Sequence, residues 1–182
     1  LTRLGHEVCA IAPAYRSALQ GDFVLREMSD KVSVAIADRR QEATILKTSI
    51  GNHVTVYLIR ADAYFDRDFL YGPPSGDYPD NSERFAFFSR AALELLRRER
   101  VDIVHGHDWQ TALAILFLKA QPARYPELTA AKTVFTVHNL GFQGIFGPPD
   151  WRLLDLDASF FAPQFLEFYG NINFLKGALV FA

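Results

Sequence analysis

A chain of 182 residues, 49% hydrophobic and 22% charged, carries enough apolar material for one sizeable core, and its formal net charge of −2 supplies no general field for nucleic acid or anionic lipid. The single cysteine, Cys9, excludes an internal disulfide and any multi-cysteine metal knot, which fits a reducing compartment. The longest apolar run, residues 112–118, is far short of the roughly 20 residues needed to span a bilayer, and no basic-then-apolar signal segment opens the chain.

Residues 1–7 read as the end of a helix with a glycine stop, ahead of a buried strand over 8–12. Residues 174–182 read as an apolar helix that stops without a cap. The chain is therefore expected to be a piece of a longer protein, cut at both ends, with one domain in it. Strands are expected over 23–27, 32–37, 43–49 and 54–59, with Gly51-Asn52 as a hairpin turn, so antiparallel pairing extends an otherwise parallel sheet. Residues 64–81 interleave Gly72, Pro73, Pro74, Gly76 and Pro79 with aromatic and acidic residues and read as an ordered loop. Ser82 is then placed to cap a helix over 83–100, whose Phe85, Phe88, Ala92, Leu95 and Leu96 recur at three- and four-residue spacing. Residues 140–150 form another Gly/Pro-rich loop, and 151–170 is expected to hold short helical pieces.

The chemistry concentrates between residues 101 and 139. An apolar run over 101–104 ends in His105-Gly106-His107-Asp108, and a β-branched run over 132–137 ends in His138-Asn139. The intervening segment 109–119 is rich in helix formers, and Asp108 is positioned to accept hydrogen bonds from the free N–H groups of its first turn. This is a βαβ unit with parallel strands, and ligands in such sheets bind beyond the carboxyl ends of the strands. His105, His107, Asp108 and His138 should therefore face one cleft, and 8–12, 101–104 and 132–137 should share one parallel sheet.

Each of these residues has a plainer reading. His138 could be a strand-end histidine that is merely hydrogen-bonded, and Asp108 a helix cap. His105 and His107 resemble half of a metal site, yet the His-x-His-x-Asp-His spacing of binuclear hydrolases is not met, because Asp108 and Trp109 follow His107 directly. No metal is expected. Tyr64, Phe65, Tyr71, Tyr78 and Phe142 could be ordinary packing or platforms for sugar rings, and amides and acids interleaved with aromatics suit a neutral polyhydroxylated ligand. No Gly-rich phosphate loop is present.

Three segments in order, VDIVHGHDWQTAL, TVFTVHNLGFQGIF and EFYGNINFLKGALVFA, resemble the N-terminal domain of bacterial and plant glycogen/starch synthases, retaining glucosyltransferases of the GT-B fold. Leu4-Gly5-His6, Pro13-Ala14-Tyr15, Tyr64-Phe65-Asp66-Arg67 and Tyr78-x-Asp80-Asn81 support it. The resemblance implies a Rossmann-like parallel sheet with helices on both faces and an antiparallel extension. It also implies that the full enzyme moves glucose from ADP-glucose to the non-reducing end of an α-1,4-glucan, with no cofactor and no metal, no nucleic acid or membrane partner, and a nucleotide-binding C-terminal domain lying outside this chain. By motif position, His138 would reach the transferred glucose and Asp108 would lie near sugar and acceptor. Tyr78, Asn81, His107, Asn139 and Gln143 would be substrate-binding positions. A cytoplasmic location follows for a bacterial protein, plastidial for a plant one. The departures are Phe142 where the family often has Tyr, Gly177-Ala178 in reversed order, and the absence of the family's Lys-x-Gly-Gly loop. Competing readings are a GT-B enzyme with another nucleotide sugar, a non-catalytic glucan-binding domain, and a metallohydrolase.

Overall fold

The computed structural model describes residues 1–51 and 53–182. Asn52, half of the expected Gly51-Asn52 turn, lies outside the described residues. The chain forms two compact units, one of residues 1–33 and 41–78, the other of residues 34–40 and 79–182.

In the first unit, β1 (Val8–Pro13) is followed by a single helical turn, α1 (Arg16–Leu19), and a two-residue strand, β2 (Arg26–Glu27). β3 (Val32–Ile36) and β4 (Arg39–Ile50) come next, their adjoining ends belonging to the second unit, and β5 (Val54–Arg60) and the short α2 (Asp62–Phe65) complete the set. β1 and β5 are parallel, in register from Val8↔Val54 to Pro13↔Ile59. β5 then pairs antiparallel with β4, and β2 adds to β4 on the far side, so the antiparallel extension grows from a strand that itself returns to the parallel ladder. Ala14, Leu46, Val56 and Leu58 form a core cluster beneath it. The expected strand over 23–27 shrinks to β2, because only Arg26 and Glu27 find partners, Lys47 and Leu46. Strand propensity at Phe23 and Val24 is idle without a ladder, and both stay exposed.

The first helix of the second unit is α3 (Asn81–Leu96). The helix starts two residues earlier than expected, and Ser82, the expected cap, is buried inside it; no side-chain cap bond forms at its start. Arg84 and Arg90 on α3 are fully buried. Arg90 lies 3.8 Å over the Phe117 ring and donates to Gln121 Oε1 (3.0 Å), Tyr125 Oη (3.3 Å) and the Leu154 carbonyl. Neutral oxygens and an aromatic face thus replace water around a cation, and burial pushes its pKa down.

After α3 come β6 (Ile103–His107), α4 (Asp108–Ala120) and β7 (Lys132–Thr136). β6 and β7 are parallel, in register from Ile103↔Lys132 to His107↔Thr136, as the crossover length requires. The expected single sheet does not hold: β6 and β7 make a two-stranded sheet of their own, while β1 belongs to the sheet of β4 and β5. Spacing shows that neighbouring strands are parallel, but it carries no information on pairing between strands some 90 residues apart. β8 (Ile145–Phe146), β9 (Glu167–Phe168) and β10 (Asn171–Asn173) form a small antiparallel sheet in the order β8-β10-β9, and α5 (Phe174–Phe181) follows. Short 3-10 turns occupy Ala158–Phe160, within the 151–170 stretch expected to hold helical pieces, and Pro148–Leu153, which begins in the expected loop over 140–150 and runs into that stretch.

Candidate active site

β6 and α4 meet without a loop, so His107 is the last strand residue and Asp108 the first of the helix. The change of direction puts Asp108 in the left-handed region, at φ 55°, a conformation that costs an ordinary residue energy and that aspartate tolerates better than most. Its carboxylate does not cap α4. Asp108 Oδ1 instead accepts the backbone N–H of His138 (2.7 Å) and of Asn139 (3.4 Å), across the strand end. The cap reading of Asp108 is thus corrected by tertiary geometry: a carboxylate aimed at two amides of the neighbouring segment gains more than one aimed at its own first turn. Thr111 takes over at the helix start, its Oγ1 accepting from His107 N (2.5 Å) and donating to the His107 carbonyl (2.8 Å).

The three histidines form a stack. His105 and His107 are two residues apart on β6 and so share a face, with ring centroids 4.1 Å apart at 29°. His107 and His138 lie 5.4 Å apart at 20°, and His107 Nδ1 meets His138 Nε2 at 3.1 Å. Between those two nitrogens one proton must be shared, one ring donating and the other accepting. His105 Nε2 pairs with Thr136 Oγ1 at 2.7 Å on the adjacent strand. Burial of the ring between its neighbours, with the nearby charges of His105 and His138, holds the His107 pKa below the usual imidazole range against the opposing pull of Asp108. No group of three His, Cys, Asp or Glu able to hold a metal occurs among the described residues.

The loop beyond His138 is sewn to the scaffold. Asn139 Oδ1 accepts from Gly141 N (2.8 Å), an Asx turn. Gln143 donates through Nε2 to the Leu140 carbonyl (3.1 Å) and accepts at Oε1 from Asn173 Nδ2 (2.7 Å). Asn173 Oδ1 in turn caps α5 by accepting from Lys176 N at 2.9 Å. Gly144 sits at φ 63°, and a Cβ there would lie 2.6 Å from the Trp109 ring. Trp109 also packs edge-on against Phe85 (4.8 Å) and at a tilt against Phe146 (5.7 Å), so one indole ties the start of α4 to α3 and to β8. Leu140 and Phe142 stand exposed on this loop.

The structure thus brings together His107, Asp108, His138 and Asn139, with Gln143 on the same loop. Asn81 is buried in the first turn of α3, where its Oδ1 accepts from Arg84 Nη1 at 2.6 Å. Tyr78 belongs to the first unit, where its hydroxyl accepts from Phe69 N (3.3 Å), its N–H donates to the Tyr71 carbonyl (2.8 Å), and Arg67 lies 4.7 Å over its ring. Tyr64 and Phe65 are core residues and Tyr71 is exposed. A surface depression lined by Lys31, Gln41, Glu42, Thr44, Arg60, Ala61 and Asp62 also lies in the first unit. Its walls carry the Lys31–Glu42 (3.3 Å) and Arg60–Asp62 (2.9 Å) ion pairs, and no histidine. Thr111, Trp109, Gly144 and Asn173 were not singled out from sequence. Only Asn173 carries a local signal, an amide immediately before an apolar helical run.

The family model of the starch synthase catalytic domain matches residues 1–182. The glycogen synthase 2 of Geobacter sulfurreducens is 41% identical over the whole of this chain, and the glycogen synthase of Koribacter versatilis 43%; the chain spans 38% and 37% of their respective lengths. Among solved structures, the catalytic domain of starch synthase IV from Arabidopsis thaliana, bound to ADP and acarbose, is similar at a TM-score of 0.85 and 29% identity, over 100% of this chain and 37% of that one. A model matched from the first residue to the last, over the βαβ unit and the histidine site it carries, means that the chain belongs to the starch synthase catalytic domain family.

Proposed function

We propose that this chain is the acceptor-side part of a retaining glucosyltransferase, which moves glucose from ADP-glucose to the non-reducing end of an α-1,4-glucan. The family match and the ADP and acarbose bound to the starch synthase IV relative support this reading. The observation that carries it is the clasp at the strand ends, in which Asp108 grips the His138 and Asn139 amides while His107 engages His138 Nε2. That leaves His138 Nδ1 as the ring atom offered to a ligand. The C1–O bond to the diphosphate breaks with its electron pair leaving on ADP, and the acceptor 4-hydroxyl oxygen forms the new bond to C1 as its proton passes to the departing diphosphate. Charge develops on the sugar and the departing diphosphate, so fixed dipoles and exclusion of water contribute most of what a protein can add.

In this reading His138 contacts the transferred glucose and Asp108 sets its position through the backbone. Asn139 and Gln143, whose side chains bond within the protein, shape the loop against the sugar. Asn81 acts from beneath, holding the first turn of α3 through its bond to Arg84. ADP-glucose is a substrate, and the reaction needs no resident cofactor or metal. A nucleotide-binding C-terminal domain outside this chain holds the diphosphate.

The test is His138→Ala in the complete protein. Loss of a group that acts as the bond breaks should lower kcat by about 10²–10³ with donor affinity nearly unchanged. A near-normal kcat with a lowered Tm would instead make His138 a brace for the loop and remove it from catalysis.

A further inference from the structure

The hairpin between β9 and β10 carries an aromatic side chain that the fold does not use. Tyr169 is 88% exposed and sits at φ 50°, and Gly170 follows at φ 79°. Two successive positive φ values make the tight turn that favours Asn-Gly or Gly-Gly, because a bulky residue is strained there. The strain is nonetheless held in place. Glu167 Oε1 accepts from Gly170 N (2.7 Å), Asn171 Nδ2 donates to the Tyr169 carbonyl (3.3 Å), and the Tyr169 ring stands edge-on to Phe168 at 4.8 Å and 87°. A pinned, strained, almost fully exposed tyrosine contributes nothing visible to stability, and such sites are commonly functional.

The register shows where this ring leads. Asn171 pairs with Phe168 and Asn173 with Ile145, so these four share one face of the small sheet, while Ile172, paired with Phe146 and Glu167, is buried on the other. Along the first face Asn173, itself buried, ends against Gln143 at 2.7 Å, so the open part of the strip, from Tyr169 to Asn171, abuts through it the loop that follows His138. Strand rise over the four residues from 173 to 169 puts the turn on the order of 14 Å from that junction, more than one sugar ring away. Its open part offers the Tyr169 ring, the edge of Phe168, the Asn171 amide and the aliphatic Ile145. The nearby cation is already engaged: Lys176 Nζ donates to the Pro163 and Glu167 carbonyls, each at 2.5 Å. This composition suits a neutral polyhydroxylated chain and offers little to a phosphate.

We propose that Tyr169 is the stacking platform of an outlying subsite for the acceptor glucan, engaging a pyranose ring several units back from the non-reducing end. The proposal rests on the glucosyltransferase reading above. It is tested in the complete protein with Tyr169→Asn, which suits the left-handed turn and removes the ring, and Tyr169→Phe, which keeps the ring. Initial rates are measured with ADP-glucose and either maltotriose or maltoheptaose, alongside retention of the protein in glycogen-containing native gels. For Tyr169→Asn, KM for maltoheptaose should rise about tenfold, equivalent to about 1.4 kcal/mol. KM for maltotriose, KM for ADP-glucose, kcat and Tm should stay put, and Tyr169→Phe should behave as the unaltered protein.

Equal effects on both acceptors, no effect, or a lowered Tm would overturn the subsite, the last by showing that another part of the complete chain covers the ring. Loss of a dimer on substitution would overturn it in favour of a subunit contact. If the unaltered protein transfers glucose to neither acceptor, the catalytic reading falls. The subsite then stands if Tyr169→Asn migrates faster than the unaltered protein through the glycogen gel, and falls if the two migrate alike.

Discussion

At the scale of single residues, the site turns on what each polar group is asked to hold. Asp108, Thr111 and His107 are consecutive in role: the hydroxyl satisfies the helix start, which frees the carboxylate for the amides of His138 and Asn139, and His107 sets the His138 ring. The depressed pKa of His107 makes this arrangement sensitive to acid. In the unfolded chain the ring takes up a proton near pH 6.5, the ordinary imidazole value, whereas in the folded chain it does so only at lower pH. The unfolded state therefore binds more protons in that window, so stability is complete above about pH 6.5 and falls as the pH drops below it. Chemical denaturation between pH 7 and 5 should show the loss, and His107→Gln should flatten it relative to the unaltered chain. An unchanged slope in the variant would mean that other groups cause the acid sensitivity.

At the scale of elements, the loop over residues 138–144 shows how a flexible-looking sequence becomes a fixed surface. Its rigidity comes from Asn139, Gln143 and Asn173, and from the close seat of Gly144 on Trp109. Gly144→Ala should therefore destabilise strongly, because the left-handed conformation costs about 1–2 kcal/mol and displacing a packed ring about 1–3 more. The sum, roughly 2–5 kcal/mol, is readable as a shift in the urea midpoint. A variant within about 0.5 kcal/mol of the unaltered chain would show that Trp109 can move away at little cost. The helices were legible in outline: the apolar spacing in residues 83–100 corresponds to α3 and the helix formers over 109–119 to α4. Their caps were not. Ser82 is buried within α3 and Asp108 bonds to another segment, because whether a short polar side chain bonds its own helix or a neighbour depends on which acceptor or donor the tertiary packing brings closer.

At the scale of the whole molecule, the chain spans about two fifths of the curated relatives it matches. The loop over residues 138–144 contains no Lys or Arg, the side chains that neutralise a departing diphosphate. The 182 residues alone should accordingly show no transfer from radiolabelled ADP-glucose to glycogen, and measurable turnover by them would overturn the proposed division of labour between the two halves. The sequence by itself determined the α/β class, the parallel direction of the 101–104 and 132–137 strands, the existence of the two long helices and the clustering of His105, His107, Asp108 and His138 at strand ends. Each of these follows from local periodicity or from the length of a crossover. Only the tertiary structure decided that the strands divide between two sheets, that Asp108 holds the backbone of residues 138–139, that His107 meets His138, and that Gly144 lies beneath Trp109. These depend on contacts between residues about 30 or more positions apart, and such contacts are selected by packing and by the need to satisfy each buried polar group. No pattern within a single element reports them.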